Sequence, residues 1–267
     1  MTRLRTYMED AKAKGKKLFV AYIAAGDPGI EQSLELCSVL VENGTDIIEL
    51  GVPFSDPIGD GATNQAAAER ALAAGMNCKG VIDLAAKIRN QGLKVPIVLF
   101  TYYNPIYKYG IQKFTQDAAE AGVDGILCVD LPPEEADNWN DLMNQSELGT
   151  VFLASPTTPP DRLKKIDESS TGFVYYVSRT GVTGAQSNIS VTLDEEMANV
   201  IKNIMKPVVV GFGLSTPEQV AQVAKLGDGV VVGSAIVKKI EQYGKDMDQL
   251  KVKLGSFVSE LSAATRS

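Results

Sequence analysis

The stretch DIIELGVPFSDPIGDG, Asp46 to Gly61, combines a strand with two acids in unusual places. Ile47, Ile48 and Leu50 form the near-continuous apolar run that is typical of a buried strand in a parallel sheet. Glu49 interrupts this run and lies on the opposite face from Ile48 and Leu50, because side chains alternate across a strand. A buried, ionised carboxylate is unfavourable unless it is paired or functional, so Glu49 is a candidate functional residue.

The second acid, Asp60, follows in a loop shaped by prolines and glycines. Two carboxylates in different surroundings can have well-separated pKa values, which is a common basis for acid–base catalysis. A structural interpretation remains open for each residue. Glu49 could cap a turn, and Asp-Gly is by itself a frequent turn pair.

Composition excludes several classes of function. The 267 residues are 45% hydrophobic and 22% charged, with a net charge of −7, which argues against a nucleic acid or an anionic membrane as partner. The absence of histidine excludes a Ser-His-Asp triad, a histidine zinc site and a histidine general base. Cys37, Cys78 and Cys128 are widely spaced and have no metal-binding or redox pattern.

The apolar segment LFVAYIAAG follows a lysine-rich stretch and loosely resembles a signal peptide. Glu9 and Asp10 interrupt the basic part, and Asp27-Pro28 ends the short apolar run. We therefore expect a first core strand here and a cytoplasmic protein without a transmembrane segment.

Strand and helix patterns alternate along the whole chain, which predicts a parallel sheet. The expected strands are Leu18–Ala25, Asp46–Leu50, Val95–Thr101, Asp124–Val129, Thr150–Ala154, Gly172–Val177, Pro207–Val210 and Gly229–Val232. Eight such units in about 250 residues predict an α/β fold, one closed (β/α)8 TIM barrel with extra helices over residues 1–267. A doubly wound open sheet is the alternative, but the Rossmann glycine pattern is absent after the first strand.

Catalytic groups of such barrels lie at the carboxyl ends of the strands, where several distinctive side chains are expected. These are Glu49, Tyr102, Asn104, Asp130, Tyr175 and Phe212. The predicted apolar pocket consists of Tyr22, Leu99, Phe100, Tyr102, Leu127, Val129, Leu153 and Phe212. The tyrosines could instead form only a packed aromatic rim, and Asp130 could simply shape its turn.

Glycines after strands seven and eight indicate a phosphate site. Gly211-Phe212-Gly213 and Gly233-Ser234-Ala235 occupy the loops that often bind phosphate in these barrels, and Gly184 could join them. The long polar loop Ser178–Asn188 is typical of a lid, although an unstructured connection is the alternative. The residues alone thus predict a barrel enzyme that uses carboxylates on a small phosphorylated molecule.

Seven motifs distributed over the chain resemble the alpha subunit of tryptophan synthase. They are YIAAGDP (22–28), IIELGVPFSDPIGDG (47–61), TYYNPIYKYG (101–110), DLPPEE (130–135), YYVSRTGVTGA (175–185), GFGLSTPEQV (211–220) and VVGSAIVKKI (231–240). This resemblance implies a lyase that cleaves indole-3-glycerol phosphate to indole and glyceraldehyde 3-phosphate. It also implies a beta-subunit partner in an alpha2beta2 heterotetramer, with pyridoxal phosphate (PLP) in the beta subunit and no cofactor in this one.

The resemblance further implies a role for individual residues. Glu49 would be the general acid–base group, Asp60 would accept from the indole N–H, and Tyr175 would position the substrate. The other implied residues are Gly184, Gly213, Gly233 and Ser234 for the phosphate, Arg179 and Thr183 for the lid, and Pro53, Asp56, Pro57 and Asn104 for the beta-subunit interface.

The chain departs from the most familiar family pattern at Tyr22, Gly59 and Val129, where phenylalanine, alanine and a smaller residue are common. These changes concern pocket fit and loop stiffness and remove no catalytic group. The sequence leaves open a stand-alone lyase that releases free indole, or a chain that mainly regulates a beta subunit. A phosphosugar isomerase on the same barrel is the last alternative.

Overall fold

The computed structural model describes residues 1–178, 197–211 and 213–267. The strands form a closed parallel barrel in the order β1 to β8, which confirms the predicted TIM barrel. Their bounds are Leu18–Ala24 (β1), Ile47–Gly51 (β2), Ile97–Thr101 (β3), Gly125–Cys128 (β4), Gly149–Ala154 (β5), Val174–Val177 (β6), Val208–Gly211 (β7) and Gly229–Val232 (β8).

Helices surround the barrel and also cover its lower end. Their bounds are Arg3–Ala13 (α1), Ile30–Glu42 (α2), Ala62–Ala73 (α3), Cys78–Asn90 (α4), Tyr103–Tyr109 (α5), Ile111–Glu120 (α6), Asp137–Gln145 (α7), Pro160–Ser169 (α8), 197–203 (the described part of α9), Pro217–Ala224 (α10), Ser234–Tyr243 (α11) and Met247–Thr265 (α12). In the part of the chain that the structure describes, no helix has an apolar run long enough to cross a bilayer.

The sequence pattern predicts no helix between the third strand and Ile111 and a single helix from Glu134 to Gln145, and the structure differs in both places. Residues Tyr103–Tyr109 form helix α5 directly after β3, where only a loop was expected. The segment predicted as one helix from Glu134 to Gln145 is divided into a 3-10 turn, Pro133–Glu135, and helix α7. All eight predicted strands are correct to within two residues at each end.

Alternation along the strands separates two cores. Ile48 and Leu50 face the surrounding helices, as predicted, together with Leu99. Ile47, Val98 and Leu127 point into the barrel, where they pack in layers with inward residues of the other strands. Leu99 was predicted to line the pocket, and this was wrong, because its face of β3 is the helix-covered one.

Leu4 of α1 closes the lower end of the barrel. It is fully buried, and its Cδ2 lies where a Cβ on Gly125, Gly149 or Gly172 would be placed, at 2.6, 3.0 and 2.7 Å. Any side chain at these glycines would therefore compete with Leu4 for the same space. The three glycines, which start or precede strands β4 to β6, form a socket for Leu4.

Aspartates at the lower ends of the strands fix neighbouring strands to each other. Asp46, Asp124 and Asp228 accept hydrogen bonds from the backbone N–H groups of Phe19, Ile97 and Val208 at 2.9, 2.7 and 2.9 Å. Each carboxylate also pairs with basic side chains. These cations are Lys16 and Arg266 for Asp46, Arg3 and Arg89 for Asp124, and Lys12 for Asp228. The lower end of the barrel thus carries charge networks that serve stability.

A buried ion pair connects three elements at the upper end. Asp27, 1% exposed, follows β1 and accepts two hydrogen bonds from Arg70 of α3, at 2.8 and 2.9 Å. Arg70 also reaches Glu241 of α11 at 3.2 Å. We expect Arg70→Met to lower the free energy of unfolding by about 2–3 kcal/mol, because it leaves the Asp27 carboxylate buried without its partner. Urea denaturation at pH 7 measures this change.

Lys79→Met is the matched control for this prediction. Lys79 pairs with Asp83 one turn away on α4, and both side chains are more than half exposed. Its loss should therefore change stability by about 0.5 kcal/mol or less. Equal effects of the two substitutions would contradict the role assigned to the Asp27–Arg70 pair.

Candidate active site

A cavity of about 420 Å³ opens at the carboxyl ends of the strands. Strand ends and the loops that follow them form its wall, and α3 and α11 begin at its edge. The lining residues are Tyr22, Glu49, Gly59, Asp60, Gly61, Ala62, Thr63, Asn64, Phe100, Val129, Leu153, Tyr175, Val177, Gly213, Val231, Gly233 and Ser234. The cavity therefore has two carboxyl groups, an apolar and aromatic wall, and glycine-rich turns on one side.

Glu49 is a buried acid at the inner face of β2. Its side chain is 1% exposed, and its Oε1 has no hydrogen-bond partner among the described residues. Burial, and then the negative charge of Asp60, raise the pKa of Glu49 to about 8. At neutral pH this carboxyl group is therefore mostly protonated and can donate a proton into the cavity.

The raised pKa of Glu49 makes stability depend on pH. Between the ordinary pKa of 4.5 and the folded value of about 8, the folded protein binds the Glu49 proton and the unfolded chain does not. The contribution of Glu49 to stability should thus fall by about 1.4 kcal/mol per pH unit across this window. Glu49→Gln cannot ionise, so we expect its stability relative to wild type to rise from pH 5 to pH 8.

Urea unfolding of wild type and Glu49→Gln at several pH values measures this difference in the free energy of unfolding. The contributions of the other titrating groups largely cancel, because both proteins contain them. Glu69→Gln on the exposed side of α3 is the control and should show a constant difference from wild type. Parallel stability curves for wild type and Glu49→Gln would contradict the raised pKa.

Asp60 is held by hydrogen bonds, whereas Oε1 of Glu49 has none among the described residues. The Tyr102 hydroxyl donates to Asp60 Oδ2 at 2.9 Å and accepts from the backbone N–H of Gly59 at 3.0 Å. Burial raises the pKa of Asp60 above its ordinary value, although the hydrogen bonds from Tyr102 and Asn64 act in the opposite direction. The two acids thus differ in surroundings, and Asp60 is the one whose ionised form is supported.

Two tyrosines lie along the inner wall of the barrel next to these acids. The Tyr22 hydroxyl lies over Gly51 of β2, and the Tyr175 hydroxyl lies over Gly211 of β7; a Cβ on either glycine would come within 2.4 Å of that oxygen. Burial, followed by nearby carboxylates, raises the pKa of both phenols well above its ordinary value. Both hydroxyls therefore remain protonated donors.

Another part of the cavity wall is suited to an anion. Helix α11 begins at Ser234, directly after Gly233, so the N–H groups of its first turn have no acceptor within the helix. Gly213 lies nearby on the wall with a φ of +68°, a conformation that favours glycine. This end of the cavity combines backbone donors, a hydroxyl and a helix N-terminus.

Comparison with known proteins shows the family of this chain. The family model described as "Tryptophan synthase alpha chain" matches residues 8–266. The chain belongs to the tryptophan synthase alpha chain family. The resemblance drawn from the seven motifs is thereby confirmed, and with it the assignment to a lyase of tryptophan biosynthesis that acts on indole-3-glycerol phosphate.

Individual alpha chains are similar over their full length. The chain is 44% identical to the tryptophan synthase alpha chain of Opitutus terrae, with 100% of both chains covered. It is 46% identical to that of Geobacter sulfurreducens, with 99% of both covered. The tryptophan synthase subunit alpha of Legionella pneumophila superposes with a TM-score of 0.92 at 37% identity, covering 99% of this chain and 98% of that one.

The structure brings together most residues that were predicted to form the alpha-chain site. Glu49, Asp60 and Tyr175 line one cavity with Gly213, Gly233 and Ser234. Of the predicted pocket residues, the following also line it: Tyr22, Phe100, Val129 and Leu153. Tyr102 contacts the site through its hydrogen bond to Asp60. Four predicted residues lie outside the described part of the chain: Arg179, Thr183, Gly184 and Phe212.

Other predicted residues of the alpha-chain site lie away from the cavity. Leu127 belongs to the fully buried interior of the barrel and does not line the cavity. Asp130 accepts a hydrogen bond from the backbone N–H of Tyr103 at 2.7 Å, which is the turn-shaping role that was left open for it. Asp56 and Asn104 are exposed, Pro57 is partly exposed, and Pro53 is buried.

Sequence reasoning missed Asn64, Thr63, Val177 and Val231 as lining residues. Val177 and Val231 share the inward face with Tyr175 and Gly233, so the period of two could have identified them. Thr63 and Asn64 are in the first turn of α3, where polar residues usually face solvent, and no sequence pattern distinguishes them.

Proposed function

We propose that this cavity is the site of a retro-aldol cleavage of indole-3-glycerol phosphate, with Glu49 as the general acid–base group. The observation that carries the proposal is the pair of carboxyl groups facing one cavity. Glu49 has a pKa raised to about 8 and an Oε1 without a hydrogen-bond partner among the described residues, whereas Asp60 is held by hydrogen bonds. Different surroundings separate the pKa values of two acids, and this is the usual way in which one acid transfers protons while the other stays charged.

In the proposed reaction, protonated Glu49 donates its proton to C3 of the indole ring. The Glu49 carboxylate then takes the proton from the hydroxyl group on the adjacent carbon. The bond between C3 and that carbon breaks, its electron pair returns to the ring, and the former alcohol becomes the aldehyde. Glu49 ends the cycle protonated, so the step requires no external oxidant or reductant.

Asp60 supports the charge that develops on the ring in this proposal. When C3 is protonated, the ring nitrogen becomes part of a cationic iminium, and a carboxylate that accepts its N–H stabilises that cation. The iminium is itself the electron sink, so the reaction requires no Schiff base and no cofactor in this chain. Tyr175 would position the substrate through its hydroxyl, which stays protonated.

The glycine-rich end of the cavity would bind the phosphate group. Gly213, Gly233 and Ser234 supply backbone and hydroxyl donors there, and the start of α11 favours a negative charge. Gly184 as a further phosphate contact, Arg179 and Thr183 as lid residues and Phe212 as a pocket residue remain predictions.

A beta subunit that uses PLP to join indole to serine would be the partner, in an alpha2beta2 assembly. The predicted contact residues are Pro53, Asp56, Pro57 and Asn104, on the rim formed by the loop after β2 and the start of α5. Ile58, 88% exposed at the tip of the same loop, supports an apolar contact at this rim.

Indole release from indole-3-glycerol phosphate tests the proposal, measured with and without added tryptophan synthase beta subunit. Slow turnover that rises strongly with the partner supports a lyase that depends on the complex. Fast turnover without the partner supports a stand-alone lyase. Absence of turnover in both assays would refute the cleavage reaction.

A further inference from the structure

Asn64 is an amide in the active-site wall to which neither the motifs nor the proposed mechanism gives a role. It lies in the first turn of α3, four residues after Asp60, and lines the cavity with Ala62 and Thr63. Its backbone N–H is already used, since it donates to Gly61 O at 3.0 Å. The side chain is therefore free to act on the cavity and is not needed to cap the helix.

The two ends of the Asn64 amide have different surroundings. Hydrogen bonding from the Asn64 side chain lowers the pKa of Asp60, and the hydroxyl of Tyr102, the residue after β3, donates to the same carboxylate at 2.9 Å. The Oδ1 of Asn64 is buried and has no hydrogen-bond partner among the residues that the structure describes. A buried acceptor without a donor is unfavourable, so an acceptor of this kind in a cavity wall indicates a place for a ligand N–H or O–H.

We propose that Asn64 is a positioning residue for Asp60 and that its Oδ1 is a second acceptor, beside Asp60, for the N–H group of the bound ring. This inference rests on the proposed function, in which Asp60 receives the indole N–H. Donation from Asn64 fixes the Asp60 carboxylate in orientation and leaves its free lone pairs toward the ligand. The Asn64 carbonyl oxygen then lies at the same end of the cavity.

Charged and titratable groups around Asp60 are consistent with this arrangement. Glu49 lies on β2 and opposes a second negative charge, while Tyr102, directly after β3, donates a hydrogen bond that stabilises the Asp60 carboxylate. Tyr22 and Tyr175 stand on the facing strands β1 and β6. Asn64 and Tyr102 are the groups that donate to the Asp60 carboxylate among the described residues, so removal of Asn64 leaves Tyr102 to perform this role.

Gln65 provides a matched control for Asn64. Its Nε2 donates at 2.8 Å to the backbone carbonyl oxygen of Asp60, so it stabilises the same loop without touching the carboxylate. Replacement of either amide by leucine removes one hydrogen bond to Asp60. A purely structural role for Asn64 predicts that the two variants behave alike.

The first experiment is an NMR titration of the Asp60 carboxyl carbon in the full chain, assigned with Asp60→Asn. We expect Asn64→Leu to raise the pKa of Asp60 by about one unit and Gln65→Leu to leave it nearly unchanged. Asn64→Asp keeps the shape of the side chain, and should raise the pKa further because it adds a like charge. An Asp60 pKa that is the same in all four proteins would overturn the inference.

The second experiment compares the binding of indole and benzofuran, which has a ring oxygen where indole has its N–H. We expect wild type to prefer indole and Asn64→Leu to lose about threefold or more of that preference, with Gln65→Leu like wild type. An unchanged preference in Asn64→Leu would refute the acceptor role of Oδ1. Neither experiment requires turnover, so failure of the cleavage assay and failure of this inference are distinguishable.

Discussion

Glu49→Gln is expected to lower the rate of indole release from indole-3-glycerol phosphate by about three to four orders of magnitude. The amide has nearly the same shape as the acid but cannot carry a proton to C3 of the ring or accept one from the hydroxyl. Because Glu49 is 1% exposed and its Oε1 has no partner, the substitution disturbs no hydrogen bond of that oxygen in the described part of the chain. Single-turnover kinetics with the beta subunit present measures this loss.

Two variants separate the loss of chemistry from a loss of folding. Glu69→Gln makes the same change at an exposed position of α3 and should keep the wild-type rate. Glu49→Asp keeps the acid but withdraws it by one methylene, so its rate should lie between those of wild type and Glu49→Gln. A rate for Glu49→Gln within tenfold of wild type would exclude Glu49 as the acid–base group. It would favour the alternative in which the chain mainly regulates a beta subunit.

Asp60→Asn is expected to cost about two to three orders of magnitude in the same assay. The amide oxygen can still accept from the ring N–H, but it no longer places a negative charge beside the developing iminium. The effect should appear in kcat more than in KM, because the positive charge exists only after C3 is protonated. The substitution should also lower the pKa of Glu49, since the Asp60 charge is the second cause of its rise.

Asp130→Asn is the control for this prediction. Asp130 also follows a strand end and accepts a backbone hydrogen bond, but it does not line the cavity. We expect its activity to stay within a few-fold of wild type. If Asp60→Asn and Asp130→Asn reduced kcat equally, the charge of Asp60 would have no special role.

The barrel could be predicted from sequence because its buried strands are short apolar runs bounded by glycine, proline and polar turns. Helix α5 was missed because TYYNPIYKY contains no helical stop or start signal apart from Pro105. Pro105 is the third residue of that helix, and the first turn tolerates proline because its N–H groups have no helical partner there. Tertiary packing after β3 therefore decides this segment more than local pattern.

The residues of the candidate site could be predicted only in part. Glu49 was found because a buried, ionised carboxylate inside an apolar strand is unfavourable unless it is paired or functional. Leu99 and Phe100 were both assigned to the pocket, although neighbours on a strand face opposite sides and only Phe100 could line it. Asn64 could not be found, because its role depends on the distance to Asp60 across a loop whose conformation the sequence does not specify.

The socket for Leu4 has a consequence for the order of events during synthesis. Helix α1 leaves the ribosome before the three glycines that receive Leu4 have been translated, and the last of them, Gly172, comes just before β6. Helix α1 therefore cannot dock on the barrel, and its apolar face stays exposed, until more than half of the barrel has emerged. Its docking is a late, long-range event, and this exposed interval is where a chaperone could act.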